Sequence, residues 1–186
     1  MIDIKRNASL KALNTFGINA ETRYLCHIRT QEDLYDLIAS DIYQNEQHYI
    51  LAGGSNILFT GDFKGLIIKV DLKGRDIYHE DDDTVTLNVA AGESWHQLVL
   101  FVVDQGWGGI ENLSLIPGTV GAAPMQNIGA YGVEIKNVVD TVEAIDLSSG
   151  ELRRFTNAEC EFGYRESVFK TTLRKKFFIS SVTLRL

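Results

Sequence analysis

Residues 106–132 constrain the fold of this chain more than any other segment. They hold seven of the 16 glycines and both prolines of a 186-residue sequence. Because glycine and proline interrupt helices and strands, we expect a long loop here, and such loops inside a compact domain are more often functional than not. Its small residues would let the backbone lie against a flat ring while its amides bond to the ring edges. A structural Ω-loop is the alternative, but the glycine count and the length favour the functional interpretation.

Regular elements flank this loop on both sides. Up to about residue 70, strand and helix signals alternate in a βαβ-like pattern, in which Thr30 and Asp33 form an acidic capping box. Residues 84–90 alternate as a strand does. Ser94 then precedes a helix whose apolar residues nearly encircle it, so we expect burial on most of its sides. Strand patterns return further on and continue to the last residue.

The composition argues against several functional classes. With 45% hydrophobic and 23% charged residues, the chain is not disordered. A net charge of −7 argues against nucleic-acid and anionic-membrane partners. The longest apolar run, residues 98–103, is far too short to span a membrane, and the N-terminal residues lack the features of a signal peptide. We therefore expect a cytoplasmic protein without membrane or nucleic-acid partners.

Motifs for metal binding and for nucleophilic catalysis are missing from the sequence. Only Cys26 and Cys160 occur, and the four histidines are scattered without metal-ligand spacing. Gly-x-Ser-x-Gly is absent, and Cys160 has no partner that the sequence reveals. We expect no bound metal.

The sharpest local motif is Gly53-Gly54-Ser55-Asn56, which directly follows an apolar strand pattern. Glycine lets the backbone adopt a positive φ and approach a ligand closely. Successive N–H groups of such a turn form a nest for a phosphate oxygen, and Ser55 and Asn56 add side-chain donors. The motif is neither a dinucleotide fingerprint nor a P-loop. On these four residues alone, an ordinary tight turn is the favoured interpretation.

A third segment, Phe162-Gly163-Tyr164-Arg165-Glu166-Ser167, places an arginine beside a tyrosine. Such an arginine could clamp an anionic substrate or stabilise developing negative charge. An exposed salt bridge to Glu166 or a stacked surface pair would be favoured if the segment stood alone.

Taken together, these segments form an ordered series of motifs. In chain order it contains Asn14-Thr15-Phe16-Gly17, Gly54-Ser55-Asn56 with Leu58, Ala91-Gly92-Glu93-Ser94-Trp95, Gly109-Ile110-Glu111-Asn112-Leu113, Ile116-Pro117-Gly118, Gln126-Asn127-Ile128-Gly129-Ala130-Tyr131-Gly132 and Phe162-Gly163-Tyr164-Arg165. The series resembles the UDP-N-acetylenolpyruvoylglucosamine reductase (MurB) family, flavoenzymes of peptidoglycan precursor synthesis. The resemblance runs from about Leu10 to Leu186.

This resemblance implies the fold and its division into domains. The implied class is α+β, the FAD-binding fold of the vanillyl-alcohol-oxidase type. In it a small α/β lobe, residues 1–70 here, packs on a larger α+β lobe, residues 71–186, with FAD between them. The family's C-terminal substrate-binding domain, with its proton donor and second catalytic glutamate, has no match in this chain. We therefore expect the chain to be the FAD-binding portion of the enzyme, monomeric and incompetent for turnover alone.

The resemblance also implies a reaction and a set of site residues. NADPH is the hydride donor, FAD the cofactor, and UDP-N-acetylglucosamine enolpyruvate the UDP-sugar that is reduced to UDP-N-acetylmuramate for the cell wall, cell shape and cell division. Arg165 matches the arginine that stabilises the enolate-like charge, and Tyr164 is the implied substrate contact. Ala52 stands where the family usually has glycine. The implied cofactor contacts are Gly53, Gly54, Ser55, Asn56, Ile57, Leu58, Pro117, Gly118, Gly121, Ala122, Gln126, Asn127, Ile128, Gly129, Ala130, Tyr131, Gly132 and Ile179.

Two alternatives stay open beside this hypothesis. The chain could be a standalone flavin-binding module without catalysis. It could also be part of another oxidoreductase of the same flavin fold, although the Tyr164-Arg165 segment argues against a different substrate.

Overall fold

In the computed structural model, which describes residues 2–186, the chain divides into two compact units, with the boundary between Leu72 and Lys73. The elements of the first unit are β1 (Ile4–Ser9), β2 (Glu21–Ile28), α1 (Gln31–Ile38), α2 (Asp41–Asn45), β3 (His48–Leu51) and β4 (Phe63–Val70). Its four-stranded sheet has the order β1-β2-β4-β3. Strands β2, β4 and β3 run parallel, and β1 is antiparallel to β2. This is the βαβ-like arrangement that the alternating pattern predicted.

The capping box predicted at Thr30 begins helix α1. The Asp33 N–H donates to Thr30 Oγ1 over 3.1 Å, and the Thr30 N–H donates to Asp33 Oδ2 over 3.0 Å. These bonds satisfy N–H groups that the first turn of any helix leaves without helical partners. The helix then buries Leu34 and Leu37.

The core of the first unit packs against its sheet, and the glycine motif lies at one edge of that sheet. The buried cluster comprises Leu10, Ala20, Leu25, Leu51, Phe59 and Ile67. Because β2, β4 and β3 are parallel, their C-terminal ends share one edge of the sheet, and ligands of open α/β sheets bind beyond that edge. Gly53 follows the end of β3 there, so the motif stands where such a sheet presents a ligand site.

The second unit, residues 73–186, is built on an antiparallel sheet. Its elements are β5 (Arg75–Glu80), β6 (Val85–Ala90), α3 (Trp95–Asp104), β7 (Gly129–Ala130), β8 (Val133–Glu134), β9 (Val139–Asp146), β10 (Leu152–Thr156) and β11 (Phe177–Arg185). Five strands pair in the order β10-β9-β11-β6-β5, and β7 and β8 form a separate two-stranded ribbon. Between α3 and β9 the chain contains only short 3-10 turns and this ribbon, as the glycine-rich stretch predicted.

The prediction that α3 is buried on most of its sides is wrong. One face, which includes Trp95 and Val102, is buried, but Leu100 and Val103 are 48% and 51% exposed. The helix packs by a single face, and no described residue covers the outer one fully. Among residues 2–186, no helix has the length and apolarity needed to cross a membrane.

The alternating pattern of the last strand also hides a buried polar row. Ser181 and Thr183 of β11 are 8% and 5% exposed. Asn88 Nδ2 of the neighbouring β6 donates to Ser181 Oγ over 3.1 Å and to Thr183 Oγ1 over 2.9 Å. Polar groups withdrawn from water need such partners, and here the adjacent strand supplies them.

Candidate functional site

The glycine motif of the first unit is held by the turn at Asn14-Thr15. Gly54 has a φ of +69°, and a Cβ on it would collide with the backbone carbonyl of Leu13. The Thr15 N–H donates to Gly54 O over 3.1 Å, and buried Asn14 bonds to Leu10 O over 2.8 Å and to Ile18 O over 3.1 Å. Glycine is therefore required at position 54 by backbone conformation and by close approach. Ala52 has no positive φ, so the backbone conformation at this position does not require glycine.

This motif presents a row of unused hydrogen-bond donors. The backbone N–H groups of residues 54–58 donate to no other residue within 2–186. Gly53, Asn56 and Leu58 are exposed, so solvent or a ligand reaches the segment. Consecutive N–H groups in a turn, next to a Ser55 hydroxyl and an Asn56 amide, suit an oxyanion such as a phosphate.

In the second unit, the middle of the long loop is hydrogen-bonded to residues 91–95, where α3 begins. Gly121 N–H donates to Ala91 O, Val120 N–H to Glu93 O, and Trp95 N–H to Gly118 O, over 2.9, 2.9 and 3.1 Å. A Cβ on Gly121 would overlap the Ala91 side chain. The sequence analysis included Ala91–Trp95 in the motif series that resembles the family but assigned it no place in the site.

The buried Ile179 of β11 lies beside this hydrogen-bonded segment. The Ala91 N–H donates to the carbonyl of Ser180, the next residue, over 2.8 Å. Ala91 thus connects the strand that carries Ile179 with the loop segment at Gly121.

Gly118 and Thr119 offer a second set of unused polar groups. Their backbone N–H groups donate to no residue between 2 and 186, and buried Thr119 Oγ1 has no hydrogen-bond partner in that range. Unpaired buried polar atoms are rare in native proteins and call for an explanation such as a missing ligand. Within the second unit, these groups are donors that fit the acceptor atoms at the edge of a flavin ring.

Asn127 joins the glycine-rich loop to the Tyr164-Arg165 segment. It is fully buried with a φ of +42°. Its Nδ2 donates to Gly163 O over 2.9 Å, and its Oδ1 accepts from the Lys136 N–H over 3.2 Å. The Ser167 hydroxyl adds a bond of 2.9 Å to the carbonyl of Met125. The two segments are therefore neighbours, and Asn127 contributes its side chain to the architecture of the site.

Arg165 is exposed and has a φ of +54°. Its Nη2 donates to Gly129 O over 3.2 Å. It forms no ion pair with a carboxylate of residues 2–186, so the alternative of a salt bridge to Glu166 is not what the structure contains. The guanidinium keeps donors available for an incoming anion.

The carboxylate of Glu134 interacts electrostatically with Arg165. Its Oε2 lies 2.6 Å from Lys136 Nζ. The hydrogen bond from Lys136, with a smaller contribution from the Arg165 charge, holds the pKa of Glu134 below its usual value. Glu134 therefore stays ionised beside the guanidinium, although sequence reasoning did not single it out.

The other predicted contacts in the second unit differ in how far they are exposed. Tyr131 and Tyr164 are 89% and 87% exposed, and Tyr131 and Gly132 have φ values of +51° and +80°. Ile128 is buried, and the remaining members, exposed or half-buried, are Pro117, Ala122, Gln126, Gly129 and Ala130. Gly53–Leu58 lie in the first unit and all other predicted site residues in the second.

Both cysteines are buried in the core and are expected to be unreactive. Burial raises the pKa of the Cys26 and Cys160 thiols to about 12. At about pH 8, less than ~0.1% of each is then the thiolate that reacts with electrophiles. We expect a chromogenic thiol reagent to titrate neither cysteine in the folded chain and both in denaturant. A native thiol that reacts at the rate of the denatured chain would contradict this burial.

Comparison with known proteins agrees with the geometry. Residues 23–156 match the family described as FAD binding domain. The UDP-N-acetylenolpyruvoylglucosamine reductase of Flavobacterium johnsoniae is 48% identical over 185 residues, which are 100% of this chain and 54% of the relative. That of Amoebophilus asiaticus is 46% identical over 100% of this chain and 55% of the relative. The chain spans about half the length of these curated relatives.

Solved structures confirm the fold class. The UDP-N-acetylenolpyruvylglucosamine reductase of Thermus caldophilus superposes with a TM-score of 0.79 at 24% identity, covering 99% of this chain and 62% of that one. A solvent-stable cholesterol oxidase reaches a TM-score of 0.67 at 15% identity, covering 99% and 38%. At these identities the likeness shows the fold alone, which is the α+β flavin-binding fold that the motif series implied. The resemblance to the reductases is confirmed by the relatives, and the chain belongs to the FAD binding domain family.

Proposed function

We propose that this chain binds FAD and forms the flavin-binding portion of an NADPH-dependent reductase that converts UDP-N-acetylglucosamine enolpyruvate to UDP-N-acetylmuramate. The observation that carries the proposal is the set of unused donors at residues 54–58 and 118–119, on two separate glycine-rich segments. Relatives at 46–51% identity that bear the reductase name support the substrate. Because the chain spans about half of each, the reaction belongs to a longer polypeptide.

The diphosphate of FAD is assigned to Gly53–Leu58. Backbone N–H groups of residues 54–58 would hold its oxygens, with Ser55 and Asn56 side chains as further donors. Main-chain amides bind a diphosphate without formal positive charge, which reconciles a net charge of −7 with two anionic ligands.

The flavin ring is assigned to the loop of the second unit. Gly118 and Thr119 have free donors for polar ring atoms, and glycines allow close approach of the backbone. Asn127 contributes by joining this loop to the Arg165 turn, since both ends of its side-chain amide are already bonded. The further cofactor contacts in the proposal are Pro117, Gly121, Ala122, Gln126, Ile128, Gly129, Ala130, Tyr131, Gly132 and Ile179.

Arg165 is assigned the catalytic role and Tyr164 a contact with the substrate. When bound, FAD supplies the hydride that it has accepted from NADPH. Hydride addition to a double bond conjugated with a carboxylate leaves negative charge on the substrate. The exposed Arg165 guanidinium, oriented by Gly129 O, stabilises that charge more strongly as it develops.

The setting of the reaction is also part of the proposal. We place it in the cytoplasm, as a step in making the cell-wall precursor, and through it in cell shape and division. The enzyme is proposed to act as a monomer whose partners are FAD, NADPH and a UDP-sugar, and no nucleic acid.

The first test is the visible spectrum of the purified chain. We expect flavin absorbance to stay with the chain after FAD is added and unbound FAD is removed, and riboflavin, which lacks the diphosphate, should fail to displace it at equal concentration. A chain that is colourless once unbound FAD has been removed would contradict FAD binding.

A second measurement separates the reductase from a standalone flavin module. Bleaching of the bound flavin by NADPH, with reoxidation by the enolpyruvyl UDP-sugar in a full-length reductase containing this segment, supports the proposed reaction. A flavin that NADPH never bleaches would favour the module, and one reoxidised only by other acceptors would favour a different oxidoreductase.

A further inference from the structure

The backbone of the Arg165 turn adopts a conformation that needs external support. Gly163 N–H donates to Glu166 O over 3.0 Å, and Glu166 N–H donates back to Gly163 O over 3.3 Å, so the chain reverses within four residues. Arg165 sits inside this reversal with a φ of +54°. A non-glycine residue whose backbone lies in the left-handed region keeps that conformation only where the surrounding structure holds it there. The contacts of the turn therefore decide where the guanidinium points.

Three side chains fix the turn, and each acts at a different point. Asn127 bonds to Gly163 at its beginning, and the Ser167 hydroxyl anchors its end on Met125. Lys170 Nζ donates to the carbonyl of Arg165 itself over 2.8 Å. Among residues 2–186, no other side chain bonds to the Arg165 main chain. Lys170 is thus the group that acts directly on the strained peptide.

We propose that Lys170 is a positioning residue that holds Arg165 in its left-handed conformation and so keeps the guanidinium over Gly129, ready for the substrate's developing charge. The inference rests on the proposed function for what Arg165 does. A bond from an ammonium to a carbonyl is charge-assisted and stronger than a neutral one. Lys170 is itself placed by the turn, since its N–H donates to Ser167 O over 3.0 Å.

The neighbouring cations do not share this role. Arg174, Lys175 and Lys176 are exposed on the same segment, and none bonds to residues 163–167 among the described residues. They change the local charge as Lys170 does, without the directed bond. Lys175→Met is therefore a control that removes one positive charge and leaves the turn untouched.

The first test measures the turn without any enzyme activity. We expect Lys170→Met to speed hydrogen exchange at the Glu166 amide about tenfold, the scale of one charge-assisted bond. Lys170→Arg should restore slow exchange, and Lys175→Met should match the wild-type chain. Lys170 is exposed, so equal thermal midpoints in all variants should show that each remains folded. Unchanged exchange in Lys170→Met, or equal acceleration in Lys175→Met, overturns the positioning role.

The second test follows catalysis in a full-length reductase containing this segment. We expect Lys170→Met to lower kcat about tenfold with bound FAD and the KM for NADPH unchanged, and Lys170→Arg to recover most of the rate. A loss that Lys170→Arg leaves uncorrected, or one shared by Lys175→Met, overturns the proposal. If the wild-type chain fails to bind FAD while the exchange pattern appears as expected, the proposed function fails and the positioning of Arg165 stands.

Discussion

Replacing Arg165 with alanine, in a reductase that contains this segment, is expected to lower turnover by ~10²–10³ while FAD remains bound. The guanidinium is exposed, bonded to Gly129 O and free of ion pairs with described carboxylates. Such a group is preorganised toward charge that appears only as the reaction proceeds, so its loss raises the barrier without weakening the cofactor site. Steady-state rates and the flavin spectrum of the same preparation measure the two effects separately.

A matched control for Arg165→Ala lies nearby in the chain. Arg174 is exposed and makes no bond to residues 163–167 within the described part of the chain. Arg174→Ala removes the same charge and should leave kcat within about twofold of wild type, as expected for an exposed site. A fall in turnover below about tenfold for Arg165→Ala, or a similar fall in both variants, would withdraw the catalytic assignment.

Gly54→Ala is expected to abolish retention of FAD and to destabilise the first unit. A methyl group at this position meets two obstacles, a φ of +69° and the carbonyl of Leu13. Left-handed strain costs about 1 kcal/mol, and displacing packed backbone adds about 1–3 kcal/mol. The shift would also move the N–H groups of residues 54–58 away from the phosphate oxygens assigned to them.

Gly17→Ala separates strain from overlap. Gly17 has a similar φ of +63°, but a Cβ there meets nothing within 4 Å. It should reduce the free energy of unfolding by only about 1 kcal/mol and leave FAD affinity unchanged. Urea unfolding and FAD titration of both variants provide the measurement. Equal behaviour of the two alanine variants would mean that the close approach at Gly54 has no role in the cofactor site.

Much of the local structure could be predicted, because its causes lie within a few residues. The capping box of Thr30 and Asp33 depends on two side chains three positions apart. The turn at Ser148-Ser149-Gly150 forms because Asp146 Oδ1 accepts the N–H groups of Ser148 and Ser149. Turn chemistry of this kind is readable from sequence.

Predictions failed or fell silent where neighbours were distant in sequence. The apolar residues around α3 gave no sign of which face would remain outside, and Leu100 and Val103 proved to be half exposed. Strand β5 (Arg75–Glu80) was not anticipated, because all of its residues are exposed and no apolar face marks it. In both cases burial depended on which elements pack together.

For the site, sequence supplied the residue types and structure supplied their relations. The motif series identified the family, the cofactor and the residues Gly53–Leu58, Asn127 and Arg165 as candidates, because backbone freedom, amide donors and a guanidinium are properties of residues themselves. The bond between Asn127 and Gly163 spans 36 positions, and the support of Arg165 by Lys170 requires a reversed chain. Only packing decides such contacts, since they depend on where the folded chain returns to itself.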